Sequence, residues 1–328
     1  MNDKPRVGVL MGGPAGEREI SFLSGQAVAA ALESRGYPVI RVEITERLAW
    51  SLAGGAAVSA TQAGSRLLET CDVLFPALHG RFGEDGTLQG FFETVGLRYV
   101  GNGVAASALA MNKDLSRRIA ASLGVAVPEG RVGPLRCSDQ EVQQFVRVAG
   151  NLGMPLFVKP TCAGSSVGVS RVEDLEDLAD AIRSALAEGG RVLVEKAVHG
   201  VELSCPVLEG RDGVARALPV IEIVPKMDAF FDYHAKYTVG MTDEICPARL
   251  DPELACRVQE QAVLVHQEFG CRSLSRSDFI LDGETPVFLE LNTMPGLTSV
   301  SLFPKAAEQE GISYAELCEQ LVLSALRG

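Results

Sequence analysis

The 328-residue chain has no Cys-x-x-Cys pair, no Cys/His spacing suited to a metal, no apolar run of the eighteen or so residues that span a bilayer, and no cluster of Lys or Arg. Each absence removes a class of protein. Its eight cysteines (Cys71, Cys137, Cys162, Cys205, Cys246, Cys256, Cys271 and Cys318) are scattered, as suits a reducing compartment. Acid exceeds base, 42 Asp and Glu against 30 Lys and Arg, for a formal charge of -12. That balance argues against a nucleic-acid partner, because such affinity comes mostly from Lys and Arg neutralising phosphates and releasing counterions. The N-terminal M-N-D-K-P-R leads into a strand-like run with no signal-peptide core or cleavage pattern. The expectations are a cytoplasmic protein, no nucleic acid and no membrane insertion.

What is present is globular: 47% apolar residues, 34 Gly and 16 Pro, without repeats or low-complexity linkers. The length exceeds one ordinary core, so two or three domains are expected. Residues 6–13, 39–44 and 72–78 read as strands, with Ala-rich and amphipathic helices after the first and over 87–95. This is an N-terminal α/β domain over residues 1–112. From Lys113 the order becomes mixed and hairpin-rich, with strands at 155–160, 191–198 and 202–208 and an amphipathic helix over 174–188 carrying Leu175, Leu178, Ile182 and Ala185 on one face. We divide it into a central part, 113–208, and a C-terminal part, 209–328. Asp251 and Pro252 start a helix that Gly270 ends.

The stretch S-R-S-D-F-I-L-D-G-E-T-P-V-F-L-E-L-N-T carries the most chemistry. Residues 277–281 and 286–291 read as strands around a tight turn at Asp282 and Gly283. Folded symmetrically about Glu284, the hairpin puts Arg276, Asp278 and Ile280 on one face with Phe288, Glu290 and Asn292, and Asp278 opposite Glu290. Phe279, Leu281, Leu289 and Leu291 then form a buried face. Like charges across a ladder repel, so a cation belongs between them. Two carboxylates and an amide oxygen are hard ligands suited to Mg²⁺ bridging substrate phosphates. The alternative is a solvated polar face on an edge hairpin.

In V-K-P-T-C-A-G-S-S-V-G-V, Lys159 ends a strand before a loop of Gly164, Ser165, Ser166 and Gly168 that could offer N–H groups and hydroxyls to phosphate. It is neither a Walker A loop nor a Rossmann fingerprint, and an ordinary hairpin turn is the alternative. His79 to Gly86, H-G-R-F-G-E-D-G, stands at a strand C-terminus, where α/β sheets bind ligands. Glu17 at the first strand-to-helix junction either receives an ammonium group or serves the helix dipole. Residues 225–247 form a long polar and aromatic segment of lid type, with Lys236 and Tyr237 as candidates to reach a ligand. N-T-M-P-G-L-T-S-V-S-L, from Asn292, could grip a carboxylate or be a plain turn.

Taken in order, G-G-P-A-G-E-R-E-I-S, A-L-H-G-R-F-G-E-D-G, V-K-P-T-C-A-G-S-S-V-G-V, E-K-A-V-H-G-V-E, D-Y-H-A-K-Y and F-L-E-L-N-T-M-P-G-L-T-S-V-S-L resemble the D-alanine:D-alanine ligase family of the ATP-grasp superfamily along nearly the whole chain. The resemblance implies an α/β and α+β fold in three domains, with ATP between two antiparallel sheets. It implies ligation of two D-alanines through a D-alanyl phosphate to D-alanyl-D-alanine for peptidoglycan precursors, in a homodimer. D-lactate or D-serine as second substrate, or a non-catalytic ATP-binding module, are the alternatives. Retained Lys236 and Tyr237 favour an amine.

The resemblance also implies roles. Lys113, Lys159 and Ser166 would bind ATP phosphates, Glu195 the adenine amino group and Glu202 the ribose, with Lys196, Ala197 and Val198 lining the adenine slot. Asp278, Glu290 and Asn292 would hold two Mg²⁺ ions, with Mn²⁺ as the alternative ion. Glu17 would take the first D-alanine's ammonium with His79 nearby. Arg276 and the Gly296 N–H would stabilise the oxyanion, and Ser301 with Leu302 would bind the second carboxylate. Ser165 and Tyr237 would bridge to Glu17, and Lys236 would approach the γ-phosphate. Pro14, Gly16, Cys162 and Ala163 depart from the family's usual loop residues, which bears on loop shape.

Overall fold

All six residues of Val7–Gly12 (β1) are buried. A strand apolar on both faces belongs inside a parallel sheet covered on both sides. Arg18–Ser34 (α1) leads from it to Val39–Ile44 (β2), Trp50–Leu52 (β3), Ala60–Thr70 (α2), Val73–Pro76 (β4) and Thr87–Val95 (α3). β1 pairs in parallel with β2 and β4, and β3 adds an antiparallel edge, giving the order β3-β2-β1-β4. This computed structural model describes residues 4–133, 135, 138–162, 164, 167–210, 212–226 and 242–327.

Val104–Met111 (α4) and Lys113–Ser122 (α5) follow, the latter capped by Asn112, whose side chain accepts from the Leu115 N–H at 3.1 Å. Gly130–Val132 (β5), Asp139–Gly150 (α6), Leu156–Pro160 (β6), Ser170–Val172 (β7), Leu178–Ala187 (α7) and Val192–Lys196 (β8) make the central unit. Its antiparallel sheet runs β5-β8-β6-β7, and α6 and α7 cover it through Val142, Phe145, Leu178 and Ile182. Leu175, expected on the α7 face, lies instead in a preceding 3-10 turn and is 54% exposed.

The last unit comprises Val201–Glu209 (β9), Ala215–Ala217 (β10), Ile221–Pro225 (β11), Thr242–Ile245 (β12), Pro252–Glu268 (α8), Leu274–Asp282 (β13), Thr285–Asn292 (β14), Leu302–Gln309 (α9) and Tyr314–Ala325 (α10). Its antiparallel sheet runs β12-β11-β9-β13-β14, with β10 beside β9. The expected boundary after Leu208 therefore falls inside a strand. β9 pairs with β13 from Val201↔Leu281 to Leu208↔Leu274, and Leu203, Cys205 and Val207 pack with Val258, Ala262 and Phe279. Burial of every residue from Leu203 to Leu208 marks β9 as an interior strand of the C-terminal sheet. Ala120 of α5 joins the same core, so the helix starting at Lys113 is bound to that sheet as well.

The chain's two ends share a core, with Val28 and Leu32 of α1 against Phe303, Leu317 and Leu321. A buried acid reinforces it. Glu319 accepts from Arg35 Nε at 2.8 Å, Lys4 at 3.0 Å and Tyr37 at 3.0 Å. The Arg35 hydrogen bond, helped by Lys4 and Tyr37, holds its carboxyl down at about 2. A depressed carboxyl pKa stabilises the fold above the unfolded value, and that stability is lost as pH falls from about 4.5 towards 2. Glu319→Gln should cost roughly 2–3 kcal/mol at pH 7. Thermal denaturation at stepped pH should show the variant's deficit shrinking through that acid window, and an undiminished deficit at the lowest pH would assign the loss to packing instead.

Among the described residues no helix is long and apolar enough to cross a membrane, and the seven described cysteines are unpaired.

Candidate active site

The β13–β14 hairpin sets Arg276 opposite Asn292 and Asp278 opposite Glu290, as the spacing predicts. Beyond that pair the register shifts. Phe279 faces Phe288 and Ile280 faces Val287, because a bulge takes up Leu289. Phe288 consequently joins the buried face, its ring 5.8 Å from Phe279, and Leu289 leaves it for a half-exposed position. Two-residue turns match strand twist, and the chain closes on Gly283 and Glu284 rather than symmetrically about Glu284. The extra residue restores the acidic pairing.

Cations do sit beside the facing acids. Arg276 donates to Asp278 through Nε at 2.9 Å and Nη2 at 2.8 Å, while Lys113 Nζ lies 3.2 Å from Glu290. Ser204 of β9 and Asn292 also donate to Asp278, at 2.6 and 3.0 Å. Lys113 ties this hairpin to the phosphate-loop strand, its N–H donating to the Thr161 carbonyl at 2.8 Å.

One cleft is lined by Lys113, Arg276, Glu290 and Asn292 together with His79, Gly80, Glu84, Met111, Gly164, Met294 and Gly296. Glu17 is buried behind its wall. A Cβ on Gly80 would meet the Glu17 carboxylate at 2.5 Å, and one on Gly164 would meet it at 3.1 Å, so both glycines admit the acid. Gly80 also has φ +73°, the left-handed region. His79 Nε2 is 3.0 Å from Ser24 Oγ and Nδ1 is 3.5 Å from Glu84 Oε1. Burial pushes the Glu84 carboxyl up, opposed by its bond with His79. At the far end Ser301 precedes α9 but leaves its N-terminus uncapped, bonding instead to Thr298 Oγ1 at 2.7 Å. Uncapped N–H groups beside Gly296 and Leu302 suit a carboxylate.

A second cluster lies in the central sheet. Lys159 at the end of β6 reaches Glu195 of β8 at 2.8 Å. Ala197 is buried, Lys196 exposed and Val198 half-buried, running on from β8. Glu202 faces Ile280 from β9, on the same strand face as Ser204. Ser165, Ser166, Lys236 and Tyr237, and most of the expected lid, lie outside the described residues. Sequence reasoning assigned nothing to Ser204 or Arg117, and covered Glu84 only as part of the His79–Gly86 stretch. Arg117 stands one helical turn after Lys113, a spacing that could have shown it on the same face.

The hairpin donors fit the divalent ion expected of them. Asp278, Glu290 and Asn292 offer oxygens on one strand face, and basic side chains already balance the two carboxylates. Among the described residues there is no group of three or more His, Cys, Asp or Glu placed to hold a metal ion. Two carboxylates with one amide leave positions for water and phosphate oxygens, as Mg²⁺ prefers.

The family description "D-ala D-ala ligase N-terminus" matches residues 6–102, and "D-ala D-ala ligase C-terminus" matches residues 120–323. The chain belongs to the D-alanine–D-alanine ligase family. It is 44% identical over 318 residues to the D-alanine–D-alanine ligase of Desulforudis audaxviator, covering 97% of both chains. It is 42% identical to that of Syntrophobacter fumaroxidans, covering 99% of this chain and 98% of the relative. Among solved structures it resembles the VanG D-Ala:D-Ser ligase of Enterococcus faecalis, with TM-score 0.85 and 32% identity over 98% of this chain and 100% of that one. It also resembles the Bacillus anthracis D-alanine–D-alanine ligase complexed with ATP, with TM-score 0.80 and 27% identity over 98% of both chains. The family's two antiparallel ATP-grasp sheets are those formed by β5–β8 and β9–β14.

Proposed function

We propose that this chain is an ATP-dependent D-alanine–D-alanine ligase acting in the cytoplasm, as a homodimer, on peptidoglycan precursors. The observation that carries the reading is the facing pair Asp278 and Glu290: Glu290 lines one cleft with Lys113, Arg276 and Asn292, and Asp278 is buried beneath it in the grip of Arg276 and Asn292. A carboxylate does not acylate an amine, because oxide is a poor leaving group. Transfer of the γ-phosphoryl of ATP to the first D-alanine's carboxylate gives an acyl phosphate and ADP. The second D-alanine's amine then attacks the acyl carbon, loses a proton, and phosphate departs.

Phosphoryl transfer asks a protein chiefly for position and positive charge. Lys113 and Lys159 orient the phosphates, and Arg276 faces the oxyanion of the tetrahedral intermediate with the Gly296 N–H. Glu17 receives the first ammonium. Ser301, Leu302 and the open α9 terminus receive the second carboxylate. Asp278, Glu290 and Asn292 would hold Mg²⁺, which supplies charge neutralisation at the terminal phosphates.

A phosphate-release assay with ATP and D-alanine as donor, with further D-alanine, D-serine or D-lactate as acceptor, tests the reading. We expect D-alanine to exceed the other acceptors by at least about tenfold in kcat/KM, the discrimination one hydroxyl or amine difference brings in a fitted site. Faster release with D-lactate at neutral pH would assign the chain to depsipeptide synthesis. The relatives from Desulforudis audaxviator and Syntrophobacter fumaroxidans favour D-alanine, whereas the VanG likeness supports D-serine as the second reading.

A further inference from the structure

Glu195 is 4% exposed and has two cations beside it. Lys159 Nζ reaches its Oε2 at 2.8 Å, and Arg117 Nε stands 3.7 Å from its Oε1. The two cations are held differently. Arg117 is anchored through Nη1 to the Pro128 carbonyl at 3.1 Å, with Asp114 of its own helix 3.9 Å from Nη2. Its Nε is buried and has no hydrogen-bond partner among the described residues. Gly130 pairs with Glu195 across the sheet, and a Cβ there would come within 3.0 Å of Glu195 Cγ and 3.5 Å of Arg117 Cζ. The absent side chain leaves Glu195 its place, and the same spot is in van der Waals reach of the guanidinium. Lys159, by contrast, is a flexible stem at a strand end leading into the Gly164 loop.

We propose that Arg117 is a positioning residue for the nucleobase end of the site, supplying Glu195 with a permanent counter-charge when Lys159 turns to the ATP phosphates. The inference rests on the ATP reading above. A buried carboxylate without a cation is strongly unfavourable, so nucleotide binding that takes Lys159 away needs a second partner in place. Arg117 fits because main chain, not Glu195, fixes it. A carboxylate only accepts hydrogen bonds, so Glu195 in this state selects a purine with a 6-amino donor and opposes a 6-oxo group. α5 then serves both ends of the nucleotide, with Lys113 beside Glu290 and Arg117 one turn later beside Glu195.

Steady-state phosphate release by the full chain, with ATP and with ITP at saturating D-alanine, tests this on Arg117→Gln and Arg117→Lys. The Gln variant should raise the KM for ATP by about tenfold or more, the value of one charge-assisted contact, and narrow the preference for ATP over ITP to a similar degree. Its KM for D-alanine should stay within about twofold of the parent, since Arg117 lies at the other end of the nucleotide. The Lys variant, which keeps the charge but not the fork, should fall between parent and Gln on both measures. A loss of kcat alone, with ATP KM and the ATP:ITP ratio at parent values, would overturn the proposal, because a merely structural residue behaves so. Should the Gln variant not fold, the Lys variant decides: intermediate values support the proposal and parental values refute it. A parent enzyme that does not distinguish ATP from ITP would overturn the adenine reading of the slot and this inference with it, whereas failure confined to the variants leaves the ATP reading standing.

Discussion

Glu290→Gln should lower D-alanine-dependent phosphate release on the order of 10²-fold or more while leaving the melting temperature nearly unchanged. Glutamine keeps the shape and one oxygen, so the strand pairing with Asp278 survives. The loss is charge. Glu290 balances Lys113 at 3.2 Å and is one of the two carboxylates that face each other across the hairpin. With one acid gone, the divalent ion should bind more weakly, and raising Mg²⁺ should recover part of the rate. Half-maximal Mg²⁺ concentration and kcat, measured together, separate this from misfolding. Near-parental turnover at ordinary Mg²⁺ would remove Glu290 from the metal site.

Arg276→Ala should be comparably severe, on the order of 10²- to 10³-fold in kcat, the usual cost of one donor aimed at a developing oxyanion. Two functions end together. The guanidinium grips both oxygens of Asp278, at 2.9 and 2.8 Å, and also lines the cleft beside Gly296. Its removal leaves Asp278, only 8% exposed, with Ser204 and Asn292 alone. Arg276→Lys restores charge but not the planar fork, so it should recover part of the stability and little of the rate. A Lys variant within about threefold of the parent in kcat would show that fork geometry is not required.

The long-range contacts of the site were less legible than its residue types. Arg276, Asp278, Glu290 and Asn292 declare themselves by strand alternation, and β13 and β14 pair them as the spacing demands. Helix limits were equally readable at Asp251 and over 87–95, where a cap, a proline and a following glycine are local chemistry. The bulge at Leu289 was not, because turn closure and acidic pairing compete and neither residue type announces which gives way. The placement of β9 was missed for a similar reason. An apolar alternation shows that one face is covered, but not by which sheet.

Sequence alone determined the strand and helix periods, the acidic hairpin, the glycine loops and the membership of a ligase family, since all of these reside in near neighbours or in ordered motifs. Tertiary structure alone decided the partners: Lys113 with Glu290, Ser204 with Asp278, Arg117 with Glu195, and Glu319 between the chain's two ends. Each joins groups from separate elements, where charge and burial act through space and no period along the chain records them.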